Sequence, residues 1–201
     1  MAPTDDPPTP ESGVLARHVA LVGLMGAGKT AVGSALAMRI RRRHADLDRA
    51  VTQLAGRSIG VIFHEGGETA FRDLEFRCLE LQLAGDDPIV LSTGGGVLSR
   101  DANQVALANR AIVVWLRARP ETLAERVGDG VSRPLLEGQD TLEVLRDLAD
   151  ERHPTYQRVA DLVVDTDGRS VEAVVDEVAK ALSASWPDRP TGRPGRVGDR
   201  S

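Results

Sequence analysis

The stretch Leu21-Val22-Gly23-Leu24-Met25-Gly26-Ala27-Gly28-Lys29-Thr30-Ala31-Val32-Gly33 limits what this chain can fold into more sharply than any other part of it. Gly23 is followed by four residues and then Gly28-Lys29-Thr30, with the apolar run Val19-Ala20-Leu21-Val22 before and a helix-like run from Ala31 to Ala37 after. The pattern reads strand, loop, helix. Glycines let the chain turn with positive φ and bring backbone N–H groups against an anion, and the free N–H groups and dipole of the next helix add to the same site. A lysine in that ring reaches the outer phosphates of a nucleotide, and a threonine hydroxyl in the first helical turn suits Mg²⁺. The ligand implied is a nucleoside triphosphate. The plainer alternative, a tight strand-to-helix turn with a surface lysine, does not account for the flanking strand and helix.

Beyond that loop, apolar runs and helical periodicity alternate. Strands are expected at 18–22, 44–46, 89–92, 111–116 and 162–165, with a helix at 29–42, more than one helix from 47 to 84, and helices at 99–109, 120–127, 140–159 and 170–185. Such alternation implies an α/β fold with a five-stranded parallel sheet flanked by helices, whose ligands gather at the carboxyl ends of the strands. Arg39 to Arg43, apart from Ile40, forms a basic cluster expected to cap a helix C-terminus, where cations suit the dipole. Residues 1–16, with Pro3, Pro7, Pro8 and Pro10, and residues 187–201, rich in Pro, Gly and Arg, are expected to be disordered tails around one domain at 17–186.

Composition excludes several function classes. The 41% hydrophobic content of 201 residues is ordinary for one soluble domain. Runs such as Ala111 to Leu116 are too short to cross a bilayer, and Met1 to Asp6 is acidic where a secretory signal is basic. A cytoplasmic protein without a membrane partner is expected. The single cysteine, Cys78, excludes an intramolecular disulfide and a thiolate metal cluster, and its place in an apolar-periodic helix suggests a buried spectator. A formal charge of −5 argues against a general nucleic-acid binder. Lys29 and Lys180 are the only lysines, so a chain that otherwise uses arginine keeps a compact, flexible charge at the glycine loop.

Four further signals carry chemistry. Asp46 and Asp48 stand at a strand-to-helix junction, where one can face a metal and the other an acceptor, or either can simply cap the helix. Arg72 and Glu75 fall on one helix face after Gly66-Gly67, so the carboxylate can hold the guanidinium as a two-pronged receptor for a substrate carboxylate; an exposed ion pair is the alternative. Gly94, Gly95 and Gly96 follow the strand ending at Ser92, which suits close backbone approach to a ligand, or a flexible turn. A Gly-rich segment between 125 and 140 with Arg126 and Arg133, then a helix carrying Arg152, suits a lid that excludes water from phosphoryl transfer. His18, His44, His64 and His153 lack metal-ligand spacing, and no chemistry is assigned to them.

Taken together, Gly23 to Thr30, Asp46-x-Asp48, Gly67-Glu68-x-x-Phe71-Arg72-x-x-Glu75, Gly94 to Gly96, Arg133-Pro134-Leu135-Leu136 and Glu151-Arg152-x-Pro154-x-Tyr156 resemble the shikimate kinase family in order and interval over residues 18–185. The resemblance implies a kinase of the nucleoside-monophosphate-kinase type, with a core, a substrate-binding segment at about 47–84 and a mobile lid at about 126–139. It implies transfer of the γ-phosphate of ATP to the 3-hydroxyl of shikimate, with Mg²⁺, on the route to chorismate and the aromatic amino acids. By the same resemblance Gly26, Ala27, Gly28, Lys29 and Thr30 bind phosphates, Thr30 holds Mg²⁺ directly, and Asp46 supports it through water. Asp48 binds the acceptor hydroxyl as base, Arg72 and Arg152 clamp the shikimate carboxylate, and Gly94 to Gly96 frame the substrate. Arg133 stabilises phosphoryl charge, Arg126 packs on the adenine, and Arg169 is the candidate adenine contact after the last strand. Leu47, between the two aspartates, departs from the small hydroxyl residues common there. A monomer is expected. The rivals are a gluconate kinase, which shares the loop and fold, and an ATP-binding switch without acceptor chemistry.

Overall fold

Val19-Ala20-Leu21-Val22 has no polar alternate, the mark of a strand covered on both faces, and it forms the centre of the sheet. In the computed structural model, which describes residues 17–128 and 140–184, five parallel strands lie in the order β2-β3-β1-β4-β5. They are β1 (His18–Val22), β2 (Arg43–Asp46), β3 (Ile89–Ser92), β4 (Ala111–Arg117) and β5 (Leu162–Asp165). β1 pairs with β3 through Ala20 opposite Leu91 and with β4 through Ala20 opposite Val113. Leu21, Leu91, Ile112 and Leu116 from these three strands are fully buried. Each such side chain contributes roughly 1.5–3 kcal/mol by leaving water. The helices among the described residues are α1 (Lys29–Arg39), α2 (Leu47–Ala55), α3 (Ile59–Leu83), α4 (Asp101–Arg110), α5 (Pro120–Val127), α6 (Thr141–Val159) and α7 (Val171–Ser183). None is long and apolar enough to cross a membrane.

Several boundaries differ from the sequence expectation. The helix expected at 29–42 ends at Arg39, because Arg41 adopts a left-handed φ of 54° and Arg42 N–H turns back to the Ala37 carbonyl at 2.8 Å. That closes the helix as a glycine-less Schellman turn. The basic cluster is therefore split: Arg39 lies in the last turn of α1, Arg42 donates to the Arg17 carbonyl at 2.8 Å, and Arg43 begins β2. The helical region at 47–84 is two helices parted at Gly56, whose φ of 66° caps α2, and Gly67 breaks α3 internally with φ 68° and ψ −172°. The helix expected at 99–109 is a 3-10 turn at Val97–Ser99 followed by α4. Here buried Asn103 takes the Val97 carbonyl through Nδ2 at 2.8 Å, which fixes the turn against the helix. β1, β3, β5 and α5 keep their expected bounds, and ends of β2, β4, α6 and α7 move by one or two residues. Both expected tails, Arg133, and the lid from residue 129 to 139 lie outside the described residues.

Candidate active site

The loop between β1 and α1 has the backbone its glycines permit: Gly23, Gly26 and Gly28 have φ of 141°, 80° and 88°. A methyl on Gly23 would stand 2.4 Å from the Leu116 carbonyl oxygen, so glycine is needed there for space as well as for angle. Gly28 caps α1 without a side-chain hydrogen bond, and no acidic residue occupies the first turn. The helix amides and dipole are thereby left to face an anion. Lys29 Nζ donates to the Gly23 and Leu24 carbonyls, each at 2.8 Å, and this keeps its charge within the loop. At the same helix start, the Ser92 hydroxyl donates to the Lys29 carbonyl at 2.8 Å. Its only proton is then committed, so the Nε2 of His44, 3.0 Å from Ser92 Oγ, is the donor of that second bond. Burial lowers the His44 pKa, which favours the neutral Nε2–H form.

Asp46 caps the helix, one of the roles the sequence left open, and also meets Thr30. Its Oδ1 caps α2 by accepting from Arg49 N–H at 3.1 Å, and its Oδ2 accepts from the Thr30 hydroxyl at 2.9 Å. Asp48, one residue into α2, faces the loop after β3, since a methyl on Gly94 would lie 3.1 Å from its Oδ1 and 2.9 Å from Glu75 Oε1. The Arg72–Glu75 pair is not an exposed ion pair: the Glu75 side chain is 0% exposed and that of Arg72 14%, with Nη1 to Oε2 at 2.8 Å. Burial raises the Glu75 pKa, an effect the Arg72 charge only partly offsets. Burial also disfavours the Arg72 charge, but Glu75 and Glu68 outweigh it and raise its pKa. Glu68, unassigned by the sequence reading, accepts from both Nε and Nη2 of Arg72 at 3.2 and 2.9 Å. The fork is thus held on one side by a buried carboxylate and on the other by an exposed one.

The three glycines at 94–96 lie where these groups meet. A methyl on Gly95 would come within 3.3 Å of Met25 N in the phosphate loop, and one on Gly96 within 2.3 Å of Arg72 Nη2. At Gly96 a side chain fits only if the Arg72 guanidinium gives way. From α6, Arg152 Nη1 donates to the Gly95 carbonyl at 3.2 Å, while the buried Arg152 Nε has no hydrogen-bond partner among the described residues and stands 3.7 Å from Glu151 Oε1. Asp48, Arg72, Arg152 and the glycine loop are therefore brought together beside Lys29 and Thr30 at the carboxyl ends of β1, β2 and β3.

On the other side of the loop, a cavity of about 190 Å³ is lined by Ala27, Gly28, Val32, Arg126, Thr166 and Arg169, among others. Arg126 donates to the Thr166 hydroxyl at 3.0 Å and to its carbonyl at 2.6 Å. Arg169 lines the cavity but turns its guanidinium onto Glu177 at 2.5 Å and the Ala173 carbonyl at 2.9 Å. Cys78 is buried with its thiol pKa raised by burial, as a spectator thiol should be.

Strand order, glycine loop and a lysine opening the following helix define a P-loop phosphotransferase of the α/β class. The family model for shikimate kinase matches residues 25–183. A shikimate kinase from Symbiobacterium thermophilum is 45% identical over 167 residues, covering 82% of this chain and 95% of that protein. One from Nitrobacter winogradskyi is 40% identical over 181 residues, covering 88% and 84% respectively. Among solved structures, shikimate kinase from Acinetobacter baumannii in complex with shikimate matches with a TM-score of 0.80 at 33% identity, covering 83% of this chain and 92% of its own. The chain belongs to the shikimate kinase family. A gluconokinase from Sinorhizobium meliloti shares the fold alone, at TM-score 0.54 and 16% identity over 84% of this chain and 93% of its own.

Proposed function

We propose that this chain transfers the γ-phosphate of ATP to the 3-hydroxyl of shikimate, giving shikimate 3-phosphate and ADP, a step toward chorismate and the aromatic amino acids. One observation carries the reading. The glycine loop at 94–96 touches the phosphate loop through Gly95 and the Asp48, Glu75 and Arg72 side chains through Gly94 and Gly96. A phosphate donor and a carboxylate-bearing alcohol bound on its two sides would meet end to end.

In this reading the N–H groups of Gly26 to Thr30 and the Lys29 ammonium hold the β- and γ-phosphates. Asp48 orients the acceptor hydroxyl and takes its proton. A carboxylate is a weak base for an alcohol, so that proton moves late, after the bond to the leaving oxygen has begun to break. Arg72 and Arg152 bind the acceptor carboxylate. The buried Nε of Arg152, which has no hydrogen-bond partner among the described residues, and the Glu75-held Nη1 of Arg72 support that role. Arg126 and Arg169 flank the adenine side, and Arg133 stabilises charge on the moving phosphoryl group. Thr30 and Asp46 offer oxygen donors 2.9 Å apart, which fits Mg²⁺. No group of three or more His, Cys, Asp or Glu suited to a metal exists among the described residues. The ion would therefore share its shell with phosphate and water, Thr30 binding directly and Asp46 through water; bound there, it neutralises β- and γ-phosphate charge. We further propose a cytoplasmic monomer, without nucleic-acid or membrane partners, whose activity resides in residues 17–186.

A coupled assay of ADP release tests the assignment, with shikimate and gluconate offered separately as acceptors. Release that depends on shikimate and not on gluconate is expected. Gluconate-dependent release would point to the rival kinase. Tight nucleotide binding with no acceptor-dependent release would point to a switch.

A further inference from the structure

We infer that Tyr156 is a positioning residue for the acceptor, holding the Gly95–Gly96 peptide so that its N–H faces the shikimate side of the site. The inference rests on the acceptor site proposed above. Tyr156 is fully buried on α6, its ring centroid 5.5 Å from that of Trp115 on β4, and its hydroxyl donates to the Gly95 carbonyl. Burial raises its pKa, so the phenol stays protonated and remains a donor. Arg152 Nη1 donates to the same oxygen at 3.2 Å. Both lone pairs of the Gly95 carbonyl are thus taken by α6.

A planar trans peptide points its N–H opposite to its C=O. With the Gly95 carbonyl drawn toward α6, the Gly96 N–H is turned away from that helix. Gly96 packs against the Arg72 guanidinium on α3, so the N–H is delivered to the face where the acceptor carboxylate would lie. The loop lacks side chains and cannot hold this orientation by itself. Arg152 is poorly suited to hold it alone, since it must also serve the substrate. Tyr156 supplies a rigid donor whose ring is packed against Trp115 and whose hydroxyl makes no other hydrogen bond among the described residues. Its hydroxyl is spent on the Gly95 carbonyl, which it shares with Arg152, so it acts through the peptide.

Tyr156→Phe removes one donor, keeps the ring, and leaves Arg152 on the Gly95 carbonyl, so the fold should survive. Shikimate KM is expected to rise roughly five- to twenty-fold, with ATP KM and melting temperature nearly unchanged and kcat reduced by less than about threefold. A second measurement needs no variant. Tyr156 is the only tyrosine in the chain, so biosynthetic fluorotyrosine gives a single ¹⁹F resonance from this ring. That resonance should move on saturation with shikimate and stay nearly still with ADP alone. An unchanged shikimate KM in the variant, parallel losses for shikimate and ATP with a lowered melting temperature, or a resonance indifferent to shikimate would each overturn the inference. Failure of the wild-type enzyme to use shikimate would instead overturn the proposed function.

Discussion

Placing a methyl at Gly96 tests the acceptor half of the site with little disturbance elsewhere. Gly96 has φ −105° and ψ 10°, angles an alanine can adopt, so Gly96→Ala carries little backbone strain. The added carbon would stand 2.3 Å from Arg72 Nη2 and 2.8 Å from both Cζ and Nη1. Restoring ordinary contact requires the guanidinium to retreat by roughly 1 Å. Its 2.8 Å bond to Glu75 cannot survive that movement, because hydrogen bonds weaken steeply beyond their normal length. A fork displaced that far also loses a charge-assisted bond to the acceptor carboxylate it is proposed to bind, worth about 1.5–3 kcal/mol, so shikimate affinity should fall about 10- to 150-fold. ATP affinity should hold within about twofold, since the phosphate loop meets Gly95 and not Gly96. Initial rates from the coupled assay, with each substrate varied in turn, give the split. Calorimetric titration with shikimate alone avoids the assumption that KM equals Kd. Shikimate affinity within twofold of wild type, in a folded variant, would refute the placement of Arg72. A loss confined to ATP would assign Arg72 to the nucleotide side.

Lys29→Ala should abolish transfer with the fold retained, because a half-exposed loop lysine adds little to the core while its charge acts on the moving phosphoryl group; substantial residual turnover would refute this. Glu68→Gln should lower shikimate KM modestly, by up to about twofold, because the exposed Glu68 carboxylate competes for the Arg72 edge at a worth of only about 0.3–0.5 kcal/mol. A raised KM would show that Glu68 helps to position the fork. His18, His44 and His153 all have pKa values lowered chiefly by burial, so between those values and the ordinary histidine range the unfolded chain binds more protons than the folded one. Stability from these groups is present near pH 7.5 and lost on acidification through about pH 6.5, and Glu75, with a raised pKa, acts in the opposite sense. With the opposing group removed by Glu75→Gln, the three histidines predict a melting temperature that falls from pH 7.5 to 5.5 at constant ionic strength; a flat or rising profile would refute it.

What was legible in the sequence is what local pattern can encode. β1 shows itself because an all-apolar run suits only a strand covered on both faces. The Arg72–Glu75 contact follows from helical spacing alone, and the phosphate loop from glycine positions that demand positive φ. Burial of that pair was not legible, because the covering groups come from Asp48 and the loop at 94–96. His44, Ser92 and the Lys29 carbonyl form a chain across β2, β3 and α1. Tyr156 reaches Gly95 across sixty-one positions. Such pairings are set by the crossovers of the sheet and leave no period to detect. Seryl and tyrosyl hydroxyls are also common enough that type alone points nowhere. The end of α1 at Arg41 escaped for another reason: a left-handed turn is normally marked by glycine or asparagine, and here an arginine accepts the strain.

The arrangement also explains why a buried carboxylate with an unpartnered oxygen persists. Glu75 Oε1 has no hydrogen-bond partner among the described residues, and burial of a charge in that state is costly. The same oxygen faces Gly94, beside Asp48 Oδ1. Two carboxylates near one another raise the cost of further negative charge, and the arginines on either side of the loop offset it. On the proposed reading, an acceptor carboxylate would meet Arg72 and Arg152, whose charges Glu75, Glu68 and Glu151 already partly offset, and the acceptor hydroxyl would meet Asp48. On that reading, selection for an acidic alcohol lies on the glycine loop's far side from the phosphates. It acts through groups whose positions are fixed by burial and hydrogen bonding before substrate arrives, which limits the reorganisation that binding must drive.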